Sequence, residues 1–348
     1  MNPLPLTQDL PRLAGFAFRP YRGEADLPAM LAVLRAAKDA DGLEDVDTLT
    51  TMQNQYRHLT NCDPDRDIVL VEGPDGLAAY GRTLWFKEDR PADNREIYHH
   101  VVVGFVQPAL RGQGVGRALH AWLEARAQAV AAELGHAARP AAEVDWQSFA
   151  YEQETAKGRL LTRAGYQPIR YFYDMVRPNL DDIPDARLPA GLEVRPALPE
   201  HYRAIWEANE EAFRDHWAEP ERTPEDYERW LHDEREFQPE IWKVAWDTAG
   251  NQVAGMVLGY ILAEQNEKFN RRRGWTENIC VRRPWRKQGV ASALIAENLR
   301  ELKARGMTEA ALGVDTENPT GALGVYERMG FRPVRREAAY AKPFPRHA

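Results

Sequence analysis

The sequence predicts a mixed α/β (α+β) protein made of two tandem domains, and three observations lead to this fold class. The chain has 348 residues, more than one hydrophobic core usually serves. One order of features occurs twice: a short strand, an amphipathic helix, a hairpin, and a strand that enters a Gly-containing turn and a helix. A proline-rich segment separates the two occurrences. We expect an N-terminal domain at 1–178, a linker at 179–191 and a C-terminal domain at 192–348.

The early elements of the two domains correspond in order and in type. FRPYRGEADLPAM near Phe18 matches VRPALPEHYRAIW near Val194, a strand ending in Arg-Pro followed by a helix. Apolar runs on either side of GPDG in the first domain match runs on either side of DTAGN in the second. Turn residues between two apolar runs are typical of a hairpin. The pattern therefore predicts one fold, used twice.

Composition excludes several classes of protein. Apolar residues make up 44% of the chain and charged residues 28%, as in globular proteins, and no apolar run approaches the roughly 20 residues that span a bilayer. The N-terminus lacks the pattern of a secretory signal, so we expect a cytoplasmic protein. A net charge of -8 argues against a nucleic-acid partner and favours a cationic or amine substrate.

The two cysteines, Cys62 and Cys280, are too few and too far apart for a disulfide framework or a zinc site. Both are expected to be reduced and structural. Nothing in the sequence indicates a metal or a redox cofactor.

The strongest functional feature is a Gly-containing turn between a strand and a helix, present in both domains. Glycine or alanine lets the backbone approach a ligand, and the N–H groups at the start of the helix suit a pyrophosphate. An ordinary strand-to-helix connection is the alternative, and the two in-register copies argue against it. A Rossmann or Walker loop fits less well. The candidate binding residues are Arg111, Gly112, Gln113, Gly114, Val115 and Gly116 in the first domain and Arg286, Lys287, Gln288, Gly289, Val290 and Ala291 in the second.

The pattern in RKQGVASAL and in the later GVDTENPTGALGVYERMGF resembles the GNAT acyltransferase family. The resemblance covers nearly the whole chain as two copies, and the layout is similar to mycothiol synthase and related two-domain bacterial acetyltransferases. It implies a V-splayed central sheet flanked by helices in each domain, with acetyl-CoA as cosubstrate. It further implies that the backbone of Ile279, Cys280 and Val281 pairs with pantetheine and that Asn318 lies along the CoA arm.

Acyl transfer to an amine needs one group to take a proton and another to give one. Tyr326 stands where the family commonly keeps a tyrosine that donates to the CoA sulfur; a core aromatic is the alternative. Glu277 lies in an apolar strand before the second turn and is a candidate general base, whereas an edge or surface glutamate is the alternative. Strand N–H groups can polarise the thioester carbonyl.

Aligning the first domain on the second places Val102 at the Glu277 position, Leu161 at the Tyr326 position and Gln153 at the Asn318 position. The first domain is therefore expected to be catalytically degenerate, either structural or CoA-binding. Activity supplied instead by other polar residues is the alternative, and the candidates are His99, His100 and Glu152.

The acceptor is expected against the segment after the first helix of the second domain, which contains Phe213, Arg214, His216 and Trp217. Aromatic faces and a cation suit an organic substrate, whereas an interhelical core is the alternative. The function predicted is acetyl-CoA-dependent N-acetylation of a small-molecule amine by the C-terminal domain. The alternatives are acetylation of a protein amine and a non-catalytic acyl-CoA sensor or scaffold.

Overall fold

The chain folds into two compact units, in a computed structural model that describes residues 10–88, 95–136, 138–139, 142–318 and 320–344. Unit 1 comprises Met1–Ile169, Thr223–Arg229 and Ala338–Ala348, and unit 2 comprises Arg170–Arg222 and Trp230–Glu337. Both units mix helices and strands, which confirms the predicted fold class. No helix within the described ranges is long and apolar enough to cross a membrane.

Unit 1 is a mixed sheet covered by helices. Its elements are β1 (Ala17–Pro20), α1 (Leu27–Ala40), α2 (Leu49–Arg57), α3 (Pro64–Asp67), β2 (Ile68–Gly73), β3 (Gly76–Lys87), β4 (Ile97–Val106), α4 (Val115–Glu133), β5 (Glu143–Tyr151) and α5 (Thr155–Arg163). Strands β1 to β4 pair antiparallel in sequence order, and β4 pairs parallel with β5. Leu27, Met30 and Leu34 form the helical apolar stripe that buries α1, while Leu119 and Leu123 bury α4 in a separate core.

Unit 2 contains most of the remaining elements. The elements that follow are β6 (Gln167–Arg177), β7 (Leu192–Arg195), α6 (Tyr202–Phe213), α7 (Pro224–Leu231), β8 (Lys243–Asp247), β9 (Gln252–Val257), α8 (Ala263–Lys268), β10 (Arg273–Trp275), β11 (Cys280–Val281), α9 (Val290–Ala304), β12 (Glu309–Asp315), α10 (Ala322–Arg328) and β13 (Arg332–Pro343). Of these, residues 167–169 of β6, residues 224–229 of α7 and residues 338–343 of β13 belong to unit 1. One set of strands runs in the order β11-β9-β8-β7, all antiparallel. In the other set, β12 pairs antiparallel with β6 and parallel with β10.

Part of the last strand of each half of the sequence belongs to the unit built mainly from the other half. Residues 170–177 of β6 lie in unit 2, where they pair with β12 from Arg177↔Ala310 to Phe172↔Asp315. At the end of the chain, the N–H of Phe344 donates to the carbonyl of Val144 at 3.3 Å in unit 1. Unit membership therefore differs from a single division of the sequence at 179–191.

The strand expected before the second Gly-containing turn is two short strands, β10 and β11, so the expectation of one continuous strand is wrong there. Asn278 lies between them with φ of 46°, a left-handed conformation that interrupts strand pairing. The corresponding strand of unit 1, β4, is continuous over Ile97–Val106.

The end of α10 offers a test of the packing that supports unit 2. Gly330 has φ of +88°, and a Cβ at this position would overlap with Nη1 of Arg177. This guanidinium is buried, donates to the carbonyl of Met329 and pairs with Asp182 at 2.6 Å. Gly306 has φ of +83°, and a Cβ at that position would have no neighbouring atom within 4 Å, so it is a matched control.

We expect Gly306→Ala to lower the free energy of unfolding by about 1 kcal/mol, through the left-handed backbone alone. Gly330→Ala should cost about 1–3 kcal/mol more, because the buried Arg177 must leave the carbonyl of Met329 and the carboxylate of Asp182. Urea denaturation of both variants measures the difference. Equal losses would contradict the packing assigned to Arg177.

Candidate active site

The candidate site of unit 2 lies where one strand leaves its parallel neighbour. β10 pairs with β12 up to Trp275↔Ala311, and the N–H of Thr276 still donates to the carbonyl of Ala311 at 2.8 Å. After the left-handed Asn278, β11 pairs with β9 on the opposite side. The strand and β12 therefore diverge from Glu277 onward, as the expected V-splayed sheet requires.

The backbone of β11 is oriented toward this opening. The N–H of Arg282 donates to the carbonyl of Ala254 in the adjoining segment of β9 at 2.9 Å. Because N–H groups alternate sides along a strand, those of Ile279 and Val281 point away from β9, whereas Cys280 pairs with it. Ile279 and Val281 thus have the orientation that pairing with a pantetheine arm needs, and the pairing itself stays a prediction.

Glu277 lies at the point of divergence with its carboxylate toward β12. Its Oε1 accepts from the N–H of Gly313 at 2.8 Å. Burial raises the pKa of Glu277 to about 8, against the lowering effect of the Gly313 hydrogen bond, and the charges of Glu236 and Asp174 raise it further. A carboxyl with a pKa near neutrality is suited to act as a general base.

Tyr326 projects from α10 into the core of unit 2, and 6% of it is exposed. Its ring packs edge-on to Phe331, with the centroids 6.5 Å apart. Burial raises the pKa of Tyr326, and the charges of Glu277 and Cys280 raise it further, so the phenol stays protonated at neutral pH. Glu277 is near enough to raise the pKa of Tyr326, and the phenol retains a proton that it can donate.

The second Gly-containing turn leads into α9 as expected. Gly289 caps the helix with φ of 84°, and Lys287 is also left-handed, with φ of 62°. The first N–H groups of α9 have no partner within the helix, which suits an anion. Gln288, Val290 and Ala291 belong to this same segment, and their binding of CoA stays a prediction.

Arg286 does not present a free cation at this turn. Its Nη1 pairs with Asp215 at 2.6 Å, its Nε donates to the carbonyl of Val281 at 2.9 Å, and its Nη2 donates to that of Ala212 at 3.1 Å. The guanidinium therefore ties the end of α6 to β11 and to the turn. Anion binding here would depend mainly on backbone N–H groups.

Asn318 forms the turn before α10. Its Oδ1 accepts from the N–H of Thr320 at 2.8 Å and from the Thr320 hydroxyl at 2.6 Å. The side chain thus has a local structural role, and its contact with the CoA arm stays a prediction.

Two of the four predicted acceptor residues, Phe213 and His216, lie together at the end of α6, and Trp217 contacts other residues. The rings of Phe213 and His216 are 4.3 Å apart, and burial lowers the pKa of His216, which keeps it neutral near pH 7. Trp217 lies 6.0 Å from the ring of Phe172 and 5.8 Å from the guanidinium of Arg170. The fourth residue, Arg214, is exposed at the end of the helix.

Sequence reasoning missed Arg170 and Phe172 because both lie on β6, which the repeat assigns to the first domain. Arg170 also pairs with Asp315 at the end of β12, at 2.8 Å. No local pattern marks β6 as a strand of unit 2, so only the topology reveals that these residues adjoin the expected acceptor wall.

Unit 1 holds a cavity of about 1110 Å³ at its own Gly-containing turn. Its lining includes Arg111, Gly112, Gln113, Gly114 and Gly116 of the turn, Gly104, Phe105 and Val106 of β4, and the basic residues Lys38, Arg117, Lys157, Arg159 and Arg163. Three acidic residues, Asp41, Glu124 and Glu154, also line it. Val115, the remaining predicted turn residue, starts α4 and is buried. The excess of basic groups suits a phosphate-bearing ligand.

The catalytic positions of unit 1 are apolar, as the alignment predicted. Val102 and Leu161 are 2% and 1% exposed and belong to the hydrophobic core. Where β4 and β5 part, the hydroxyl of Ser148 donates to the carbonyl of Val102 at 3.0 Å. Neither Val102 nor Leu161 can transfer a proton.

The alternative catalytic groups proposed for unit 1 lie elsewhere. His100 is fully buried, and its Nε2 lies 3.3 Å from Nδ1 of His136, while Glu152 is exposed. His99 lies between Glu88, at 2.7 Å from Nε2, and Asp145, at 2.6 Å from Nδ1. None of His99, His100 and Glu152 is among the described residues that line the cavity.

Comparisons with known proteins agree on one family. The model described as "Acetyltransferase (GNAT) family" matches residues 202–331. The mycothiol acetyltransferase of Thermobispora bispora is 29% identical over 314 residues, which cover 88% of this chain and 92% of that protein. The mycothiol acetyltransferase of Streptomyces coelicolor is 30% identical over 231 residues, 65% of this chain and 66% of that protein.

Solved structures extend the similarity to both units. The GCN5-related N-acetyltransferase from Sphaerobacter thermophilus is 32% identical, with a TM-score of 0.67 over 95% of this chain and 97% of that chain. A tandem GNAT protein from the clavulanic acid biosynthesis pathway shares the fold at 16% identity, with a TM-score of 0.62 over 95% of this chain and 99% of that chain.

The environment of His99 predicts a pH-dependent contribution to stability. Burial disfavours its protonation, but the hydrogen bonds with Asp145 and Glu88 outweigh burial and raise its pKa from 6.5 to about 9. A raised pKa stabilises the fold fully below pH 6.5, and the contribution falls as pH rises through 9.

Between pH 6.5 and 9 we expect the free energy of unfolding of the wild type to fall by about 1–3 kcal/mol relative to His99→Gln. Urea denaturation at several pH values measures this, with His232→Gln at an exposed position as the control. Parallel pH profiles for the wild type and His99→Gln would contradict the ionised state assigned to His99.

Proposed function

The chain belongs to the GCN5-related N-acetyltransferase (GNAT) family, and from that premise we propose that unit 2 transfers the acetyl group of acetyl-CoA to a primary amine of a small molecule. Transfer would occur by direct attack in a ternary complex. The observation that carries the proposal is Glu277, a carboxyl with a pKa of about 8 placed where the strand leaves β12.

The chain's own groups account for each proton. The carboxylate of Glu277 would take the proton of the attacking ammonium, directly or through water, so that the amine nitrogen can bond to the thioester carbonyl carbon. The N–H groups of Ile279 and Val281 face the opening and would bind the pantetheine arm or polarise that carbonyl. When the carbon–sulfur bond breaks, the phenol of Tyr326 would give its proton to the CoA thiolate.

The acceptor proposed is a small molecule because the matched relatives are named mycothiol acetyltransferases. Phe213, His216 and Trp217 would form an aromatic wall for its organic part. Arg170 would hold Trp217 in this wall, since its guanidinium lies 5.8 Å from that ring and pairs with Asp315. Acetylation of a protein amine is the alternative, and labelled acetyl-CoA incubated with protein partners would detect it by mass spectrometry.

For unit 1 we propose CoA binding without acetyl transfer. Its cavity offers the turn and an excess of basic groups, while the positions of the base and the acid hold Val102 and Leu161. Unit 1 would thus bind CoA without catalysing transfer, while unit 2 of the same chain carries out the reaction.

We expect substitution of Glu277 and of Tyr326 to lower the rate of acetyl transfer by different amounts. Glu277→Gln should lower kcat/KM by about 10²–10⁴ and abolish its rise with pH toward 8, because the amide cannot take a proton. Tyr326→Phe should lower kcat by about tenfold, since a protonated thiolate leaves more readily. Thiol release from acetyl-CoA over a panel of amines, from pH 6 to 9.5, measures both effects, with unchanged acetyl-CoA affinity as the control. Glu277→Gln activity within twofold of the wild type would refute the mechanism.

A matched pair of substitutions tests how many units bind CoA. Gly116 and Ala291 occupy the same position in the first turns of α4 and α9, and neither has a positive φ. A glutamate is tolerated at a helix start, yet its charge should repel a pyrophosphate. Calorimetric titration of acetyl-CoA should detect two sites in the wild type, one lost with Gly116→Glu and the other with Ala291→Glu. A single site, lost only with Ala291→Glu, would make unit 1 a scaffold.

A further inference from the structure

Thr276 and Asn298 form a buried polar pair beside Glu277, and neither residue has a part in the mechanism above. The hydroxyl of Thr276 donates to Oδ1 of Asn298 at 3.0 Å, and both residues are 0% exposed. The Nδ2 of Asn298 is buried and has no hydrogen-bond partner among the described residues. An apolar pair of the same shape would avoid the cost of this unsatisfied donor. Stability alone therefore does not explain the pair.

The pair joins two segments of the proposed site. Thr276 immediately precedes Glu277, and Asn298 lies on α9, the helix that begins at the Gly-containing turn. The helix lies directly against the strands here, because a Cβ at Gly259 would overlap with Nδ2 of Asn298. Glycine at this position permits the close approach that brings Asn298 to the strand.

We propose that Asn298 is a positioning residue for acetyl transfer: it holds Thr276 at the last pairing with β12 and thereby keeps the carboxylate of Glu277 on the N–H of Gly313. The hydroxyl is anchored by α9 while the N–H of Thr276 is anchored by Ala311 at 2.8 Å. With both groups fixed, the strand leaves β12 at one defined residue. This inference rests on the proposed role of Glu277 as the general base.

The titration of Glu277 reports on this position. Burial raises the pKa of Glu277, Gly313 donates to the carboxylate and lowers it, and Glu236 and Asp174 raise it. The charge of Glu277 in turn raises the pKa of Tyr326 and Tyr260, beyond the effect of their burial. If the strand shifts, the Gly313 hydrogen bond is lost first. The pKa of Glu277 should then rise.

Four variants separate positioning from general stability. Thr276→Val keeps the shape and removes the hydroxyl, while Thr276→Ser keeps the hydroxyl and is the matched control. Thr276→Val leaves both polar side-chain atoms of Asn298 buried without a hydrogen-bond partner, so this variant should be less stable than the wild type. Combining it with Asn298→Leu replaces the polar pair by an apolar one and should recover much of that stability. Asn298→Leu alone completes the cycle.

The decisive measurement is the pKa of Glu277 by NMR titration of the full chain with ¹³C-labelled glutamate, its signal assigned from Glu277→Gln. At a temperature where every variant is folded, we expect an upward shift of about 0.5 unit or more in Thr276→Val and in the double variant, and none in Thr276→Ser. With an amine that the panel identifies, kcat/KM should fall about tenfold in the double variant while the KM for acetyl-CoA stays within about twofold.

A double variant that is as stable as the wild type and titrates Glu277 at the wild-type pKa would overturn the inference. This result is distinct from failure of the proposed function. If no amine is acetylated, the catalytic role of Glu277 fails, whereas the NMR titration still decides whether Asn298 positions the carboxyl.

Discussion

The divergence of one strand from β12 after Thr276 is the constraint on which the site of unit 2 depends. Parallel strands that stay paired leave no backbone group for a ligand, because each N–H is already used. Here the N–H of Gly313, which has lost its strand partner, donates to Glu277 instead. The opening, the orientation of Ile279 and Val281, and the position of the candidate base thus have a common cause.

The strands part in both units, so the splay alone does not distinguish the two candidate sites. β4 and β5 pair from Ile97↔Glu143 to Val101↔Gln147 and then part, as β10 and β12 do. In unit 1 the groups at the parting strands are Ser148 and Val102, joined by a hydroxyl-to-carbonyl hydrogen bond. At the equivalent position of unit 2, the carboxylate of Glu277 accepts a hydrogen bond from the N–H of Gly313 across the two diverging strands. The position is therefore part of the hydrophobic core in unit 1, whereas in unit 2 it holds a titratable carboxyl at the opening between the strands.

Local patterns were enough to predict the Gly-containing turns, because each turn depends on residues close together in sequence. Glu277 and Tyr326 were singled out with the help of the family resemblance, and their catalytic roles stay predictions. The turn needs a glycine in the left-handed conformation, and the helix begins at the next residue. The sequence pattern that predicts the turn therefore spans only a few residues. The pairing of β6 with β12 depends instead on contacts across more than a hundred residues. Arg170 and Phe172 were missed for that reason. The left-handed Asn278 was missed because nothing adjacent in sequence marks an interruption inside an apolar strand.

The arginine that begins each Gly-containing turn pairs with an aspartate that follows the first long helix of its unit. Arg111 pairs with Asp41 at 2.7 Å after α1, and Arg286 pairs with Asp215 at 2.6 Å after α6. A cation reserved for phosphate would gain nothing from a carboxylate at this distance, since the carboxylate cancels most of its field. The repeated pair instead fixes the turn to the first long helix of its unit. A turn held in this way presents its backbone N–H groups in one arrangement, so an anion that bound there would find them already ordered.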